Sequence, residues 1–446
     1  MNTELLLAVI GGIALLLVLI LVMRLHAFLS LLITSIAVGL LAGMNGAELA
    51  DTIQKGMAGT LGFVAVVVGL GAMFGAILEA SGGAEAVAKS LISKTNSQRA
   101  PWILMITGYV VSIPVFFDVG FIILVPLVYG LQRRSGKSIL AFAIPLLAGL
   151  AVTHAFVPPT PGPVAVSEIL GADLGVVIMI GLITGFPAAV VGGILWGKYI
   201  SRRIFVAAPD VQEEITDDKT PPIWLLLTLI IVPLALIMMD TVIDRMNKSG
   251  VTGLETLSRV FHFIGHPFMA LIIANLLAWY FLGIRRGTSR EKLLEITSKS
   301  LTPVGMILLV IGAGGVFKQV LVDTGSGEML AKTMASLGIP AFLFAFIAAA
   351  LLRILQGSAT VAMITSAGLT APLLVSAGLS DVQMACVVIA IASGATFMSH
   401  VNDSGFWLVK QYLGLTEKET FKSWTVMTML VGVTGLVCAG VIYYLV

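Results

Sequence analysis

Charge is scarce in this chain: Asp, Glu, Lys and Arg make up 11% of its 446 residues. A soluble domain needs about a quarter of its residues charged to keep its surface wet, so this surface faces lipid. Cysteine is scarcer still. Cys386 and Cys438 lie in separate apolar runs, which leaves no disulfide framework and no thiolate metal motif. No basic tract interleaved with aromatic residues occurs, so nucleic acid has no footprint. The net charge of +2 says little about partners, because the charges crowd into a few short loops. The glycine-rich stretches "GLGAMFG" (69–75) and "GAGG" (312–315) follow no strand. They read as small-residue faces for close helix packing rather than phosphate loops, and no soluble cofactor is implied.

What the chain has instead is apolar sequence, 58% of the total. A bilayer crossing takes about 20 such residues. Candidate crossings are 4–23, 27–43, 60–80, 139–156, 176–197, 222–243, 267–283, 303–322, 384–400 and 423–445. Residues 4–23 lack a basic leader and a small-residue cleavage site, and Arg24 follows directly; they read as a retained first helix. Two further regions, 101–131 and 340–375, each hold two short helical stretches. The first is interrupted at "SIPVFFDVG" (112–120) and the second at "RILQGSAT" (353–360). Each arm is short for a full span, so each pair reads as a re-entrant hairpin, whose broken backbone must be covered by protein or line a cavity.

Loop charges orient this scheme. With 81–100 and 132–138 in the cytoplasm, 19 of the 26 Lys and Arg fall inside and 5 outside, while Lys318 and Arg353 sit within apolar segments. The positive-inside rule is met, and both termini are expected outside.

The chain also repeats itself. "GAMFGAILEASGGAEAVAKSL" (71–91) resembles "GGVFKQVLVDTGSGEMLAKTM" (314–334) at a constant offset. Gly71, Phe74, Leu78, Gly82, Glu85, Ala88 and Lys89 recur as Gly314, Phe317, Leu321, Gly325, Glu328, Ala331 and Lys332. The expected fold is therefore all-α and polytopic, built of two repeats, 1–206 and 222–446. They flank the polar cytoplasmic linker 207–221. Each repeat has five crossings and one hairpin. Five is odd, so the second is inverted, which is a secondary-transporter pattern.

The chemistry should sit where helices break. "VTHAFVPPTPGP" (152–163) packs four prolines behind a histidine, and proline forbids helical continuation. The matching stretch "SGATFMSHVNDSGFW" (393–407) breaks at Asn402, Asp403 and Gly405. Freed carbonyls and new helix termini at depth suit an ion or a carboxylate. Asp118 at the tip of the first hairpin, and His154 and His400 beside the two breaks, are the candidate proton carriers. An ionised, unpaired carboxylate in a membrane is costly and marks function by default, and histidine switches near neutral pH. Thr153, Thr160, Ser358, Thr360, Asn402 and Asp403 supply polar contacts for a substrate. Arg353 offers a planar fork for a carboxylate, or a structural bridge to Asp118 or Asp403. His26, His262 and His266 read as interfacial residues, and Lys318 as a snorkelling one.

At these motifs the chain resembles the gluconate permease family of bacterial sugar-acid:proton symporters, over essentially its whole length. The stretches that carry the resemblance are "AGTLG" (58–62), "GAMFG" (71–75), "THAFVPPTPGP" (153–163), "GGVFKQVLVDTG" (314–325), "LRILQGSATVAMIT" (352–365) and "SHVNDSGFWLVKQY" (399–412). Thr160 and Ser404 stand where gluconate and idonate members often have histidine and proline. "SHVND" argues against a D-serine branch, and fructuronate stays open beside gluconate. The resemblance implies a bacterial inner-membrane permease of the wider ion-transporter fold, working by alternating access and forming a homodimer in the bilayer.

The expected activity is import of a sugar-acid anion by proton symport. A sodium-coupled carrier of the same fold would use the same carbonyls with Ser358, Thr360 and Asn402. A membrane hydrolase would need Ser399 and His400 as a dyad, but neighbours on a helix point apart. A passive channel would fail to accumulate substrate.

Overall fold

Apolar runs fold as helices throughout. The computed structural model describes residues 3–82, 99–209, 221–248, 255–326, 340–375 and 377–446, and every regular element among them is helical. Seven helical stretches there are long and apolar enough to cross a bilayer by length and composition. Repeat positions Glu85, Ala88, Lys89, Glu328, Ala331 and Lys332 lie outside the described residues, as do linker residues 210–220.

Helix α1 (Thr3–Leu17) leads through a π turn to Val22, and α2 spans Ala27–Leu41. The crossing expected at 60–80 is the second part of a 35-residue helix, α3 (Gly46–Ala80). Its true start is set by Asn45, whose side chain accepts from the Ala47 and Glu48 amides while Glu48 accepts from the Asn45 amide, all at 3.0 Å. This capping box lies in a stretch whose Glu48, Asp51 and Lys55 hide it from a hydropathy reading. Helices α4 (Ala100–Val111) and α5 (Phe117–Ser135) are the two arms expected around 112–120.

Next come α6 (Leu140–Phe156), α7 (Pro161–Leu170) and α8 (Leu174–Ala189), the last continuing through a π turn to Ile200. The second half opens with α9 (Ile223–Lys248), then α10 (Glu255–Ile264), an amphipathic helix that hydropathy missed. There follow α11 (Pro267–Ala278), the polar α12 (Arg290–Ser300) and α13 (Thr302–Asp323). Helices α14 (Ala341–Gln356) and α15 (Ala359–Leu374) are the second expected pair of arms. Last come α16 (Asp381–Thr396), α17 (Ser404–Leu413) and α18 (Val426–Leu445). The crossings expected at 27–43 and 384–400 are helices of 15 and 16 residues. At 1.5 Å per residue each is short of the bilayer core.

Two packing relations position the site. Helices α3 and α13 lie against each other with backbones nearly touching: a Cβ on Gly56 would come within 2.7 Å of the Val316 Cα. The hydroxyl of Thr52 donates to Asp323 at 2.8 Å across the same pair. Small residues allow this approach, as in membrane helix pairs generally. Gly71 and Gly75 serve elsewhere. A Cβ there would face the Pro159 carbonyl at 3.4 Å and the Pro114 carbonyl at 2.1 Å, so α3 abuts two chain breaks. Helices α6 and α16 are the innermost, with nearly every side chain buried. A helix apolar all round belongs at such a centre; α6 packs on α4, and α16 on α14.

Candidate functional site

The helices that break are the ones that meet. The start of α5, the end of α6, the α14–α15 junction and the α16–α17 junction surround one cavity of about 400 Å³. Small-molecule sites span roughly 300–1,000 Å³. Phe116, Phe117 and Asp118 line it from α5, with Ala151, His154 and Ala155 from α6. Gln356, Ser358 and Thr360 line it from the α14–α15 junction, Asn402 and Asp403 from the α16–α17 junction, and Trp424 and Thr428 close it from the approach to α18.

Each break has a local cause. At Gly357, φ is +86° and the Cβ of any other residue would sit 2.1 Å from the Asn402 carbonyl oxygen. Only glycine turns the chain here, in the left-handed region and against another backbone. Ser358 then caps α15, accepting from the Val361 amide at 3.4 Å. At the end of α6, Pro158 and Pro159 (joined by a cis peptide) stop the helix, and α7 begins at Pro161. Asp403 caps α17, accepting from the Gly405 amide at 3.1 Å.

Asp403 is the hub of the polar network. Its carboxylate accepts from the Arg353 guanidinium and from the Ser399 hydroxyl, and Arg353 also donates to the Gly357 carbonyl. Trp424 donates its indole N–H to the Ser399 oxygen at 2.7 Å. The side chains of Arg353 and Asp403 are 6% and 11% exposed. A pair buried this far is held by charge-assisted bonds, and loss of either partner strands the other. The bridge foreseen from Arg353 goes to Asp403 rather than Asp118. The hydroxyl of Ser399 is engaged by Asp403, and His400 faces another carbonyl, so no nucleophile–base dyad forms.

Of the ten residues singled out from sequence, seven line this cavity: Asp118, His154, Arg353, Ser358, Thr360, Asn402 and Asp403. Three do not. Thr153 is fully buried and its hydroxyl makes no hydrogen bond. Thr160 turns back to donate to the Val157 carbonyl at 2.8 Å and borders a separate void of about 10 Å³. His400 places Nε2 2.8 Å from the Ile354 carbonyl, which Asn402 also engages at 2.7 Å. A carbonyl only accepts, so Nε2 carries the proton. His154 has a buried Nδ1 with no hydrogen bond and sets its ring 5.9 Å from that of Phe116.

Gln356, Trp424 and Ser399 also belong to the site or its support, and the first stands in the quoted stretch "RILQGSAT" with nothing to mark it. Three helix N-termini, those of α5, α15 and α17, open on the cavity. Each concentrates roughly half a positive charge. Side chains cap the latter two, while α5 has no side-chain cap. The arrangement suits an anion bearing several hydroxyls. Among the described residues, no three of His, Cys, Asp and Glu gather as a metal site.

Comparison with known proteins follows the same line. Residues 3–446 match the GntP family permease profile. The chain is 41% identical to the low-affinity gluconate transporter of Escherichia coli (strain K12), over 99% of this chain and 98% of that protein. It is 39% identical to a gluconate permease of Pseudomonas aeruginosa, with 95% of this chain and 94% of the relative covered. It is 37% identical to the Gnt-II system L-idonate transporter of E. coli (strain K12), over 97% of each. Among solved structures, the crystal structure of the Alcanivorax borkumensis YdaH transporter superposes with a TM-score of 0.65. The identity there is 16%, with 89% of each chain covered, and the likeness is one of membrane-transporter fold.

Proposed function

This chain belongs to the GntP permease family, and from that premise we propose that it imports a sugar-acid anion by proton symport with alternating access. Gluconate is the first candidate substrate, with related hexonates or hexuronates such as fructuronate beside it. The names of the relatives support the substrate class. The observation that carries the reading is the cavity of about 400 Å³, where three helix N-termini, an arginine and two aspartates converge.

The roles follow from charge. Arg353 and Asp403 neutralise each other, which leaves Asp118 as the second carboxylate in the cavity. The substrate carboxylate sits at the uncapped first turn of α5 and the hydroxyls of Ser358 and Thr360; the sugar hydroxyls meet Asn402, Asp403 and Gln356. That position is close to Asp118, and two carboxylates sharing a site do not both stay ionised. A proton arriving with the anion, on Asp118 or His154, resolves the conflict. The coupling also answers the membrane potential, since an anion entering an inside-negative cell works against about 2.3 kcal/mol per charge per 100 mV.

The two halves, 1–206 and 222–446, act as inverted repeats around this chamber, with α4–α5 and α14–α15 as re-entrant hairpins. Two features support the pairing. Helix α4 packs on α6 as α14 packs on α16, and α2 packs on α13 as α11 packs on α3. His26 and His266 also cap α2 and α11 alike, each accepting from the amide two residues on at 3.3 Å. The termini face outward, linker 207–221 lies in the cytoplasm, and the protein works as a homodimer in the bacterial inner membrane.

The test is uptake of labelled gluconate into sodium-free proteoliposomes, with an inward proton gradient and with that gradient collapsed. Accumulation that needs the gradient is expected. Accumulation that instead requires sodium and fails in choline would reassign the coupling ion. Equilibration without accumulation would mark a passive route.

A further inference from the structure

A second cavity, of about 370 Å³, lies beside the chamber between α3, the α4–α5 break and the α12–α13 junction. Its floor is Gly75 and Pro114, its polar rim is Glu79, Lys299 and Ser300, and Phe116 forms its inner wall. Phe116 also lines the main chamber and borders the void of about 10 Å³, and a void that small is at the threshold for a single water. Phe116, at the N-cap of α5, is thus a residue shared by two cavities, each large enough for a small molecule. The rim opens where Glu79 and Lys299 are exposed. In the loop-charge scheme the segment that carries Lys299 falls on the cytoplasmic side.

We propose that this second cavity is a transit site for the sugar-acid anion, between the chamber and the cytoplasm, with Phe116 as the partition. The proposal rests on the function argued above. Swinging the Phe116 ring would join the two spaces, and its contact with the His154 ring links the partition to a candidate proton carrier. The walls suit passage rather than retention. They are mostly apolar, with Ala72, Ala76, Val119, Ile296 and Pro303, and a single lysine meets the anion at the rim. Conduction needs a site favourable enough to enter and weak enough to leave. Lys299 is held by Glu295 at 2.7 Å, an exposed pair that an arriving carboxylate can exchange with at little cost.

The experiment uses the full chain in proteoliposomes, starting with wild-type gluconate uptake. If wild type carries no sugar acid, the functional reading itself fails. With that reading secure, Ala76→Cys is placed in a background with Cys386→Ala and Cys438→Ala, and treated with a bulky thiol reagent. Transit through the cavity predicts that full modification cuts uptake about tenfold or more, and that gluconate slows the labelling. Uptake unchanged after full modification would overturn the proposal and mark a space filled by lipid. Phe116→Ala gives an independent reading. A partition role predicts that gradient-driven accumulation falls about fivefold or more while gradient-free exchange is kept, since gating and binding are separate steps. Accumulation at the wild-type ratio, or parallel loss of both activities in folded protein, would remove Phe116 from the path.

Discussion

Arg353 and Asp403 join the second hairpin-like break to the second broken helix: the guanidinium donates to the carboxylate at the edge of the chamber, both side chains nearly buried. The pair sits 50 residues apart in sequence and fastens α14 to α17. Arginine's fork serves both Asp403 and the Gly357 carbonyl, which a lysine point charge cannot do together. Arg353→Lys is expected to keep the fold but lower the initial uptake rate about tenfold or more. Asp403→Asn should cost about 3–5 kcal/mol, as for other buried pairs broken on one side. Thermal unfolding in detergent, beside initial rates at matched protein, reads both. A wild-type rate in Arg353→Lys would show that the fork is dispensable.

Asp118 stands in the first turn of α5, at a helix start with no side-chain cap. The bland role would be to support that helix end, worth about 0.3–1 kcal/mol. The proton-carrying role predicts something sharper. Asp118→Asn should abolish uphill uptake while gluconate counterflow survives, because the neutral amide mimics the protonated acid. Equal accumulation in the variant and wild type would return Asp118 to the role of a helix-end residue.

Much of this arrangement was legible in the sequence, and the reasons are physical. Prolines 158 and 159 and the glycine at 357 are residues whose backbone chemistry ends a helix, and Pro161 suits the first turn of the next, so the breaks announce themselves. The seven cavity-lining residues foreseen all lie within a few positions of a break. What stayed hidden depends on direction rather than composition. Thr160 is polar and sits beside a break, yet its hydroxyl satisfies its own chain at Val157. The start of α3 was masked by Glu48, Asp51 and Lys55, which a hydropathy window counts against a helix that a capping box begins. Trp424 is 25 residues beyond Ser399, a distance no local pattern bridges.

The two histidines beside the helix breaks differ in what they touch. His400 ties the break after α16 to the last turn of α14 through the Ile354 carbonyl, while His154 lines the chamber with Nδ1 unengaged. His400→Ala should therefore lower stability by about 0.5–1.5 kcal/mol, the net worth of one hydrogen bond, because Asn402 still engages the Ile354 carbonyl, and leave the pH profile of uptake unchanged in shape. His154→Gln should leave stability nearly intact and alter that profile. A profile that moves for His400→Ala and not for His154→Gln would exchange the two assignments.

Gly357 and Gly136 test whether the α14–α15 break is an architectural necessity or merely a turn. Both have positive φ, +86° and +65°. At Gly136, the C-cap of α5, a Cβ would meet nothing within 4 Å, whereas at Gly357 it would lie 2.1 Å from the Asn402 oxygen. Gly136→Ala should then cost only the left-handed backbone penalty of about 1–2 kcal/mol and leave transport unaffected. Gly357→Ala adds a backbone clash that can be relieved only by pushing the Asn402–Asp403 segment away. That displacement breaks the geometry around Asp403, so transport should fall by about 100-fold, as for other misplacements near 1 Å. Measuring uptake and unfolding for both variants separates the contributions: equal effects would mean that the close approach of the two breaks has no part in transport.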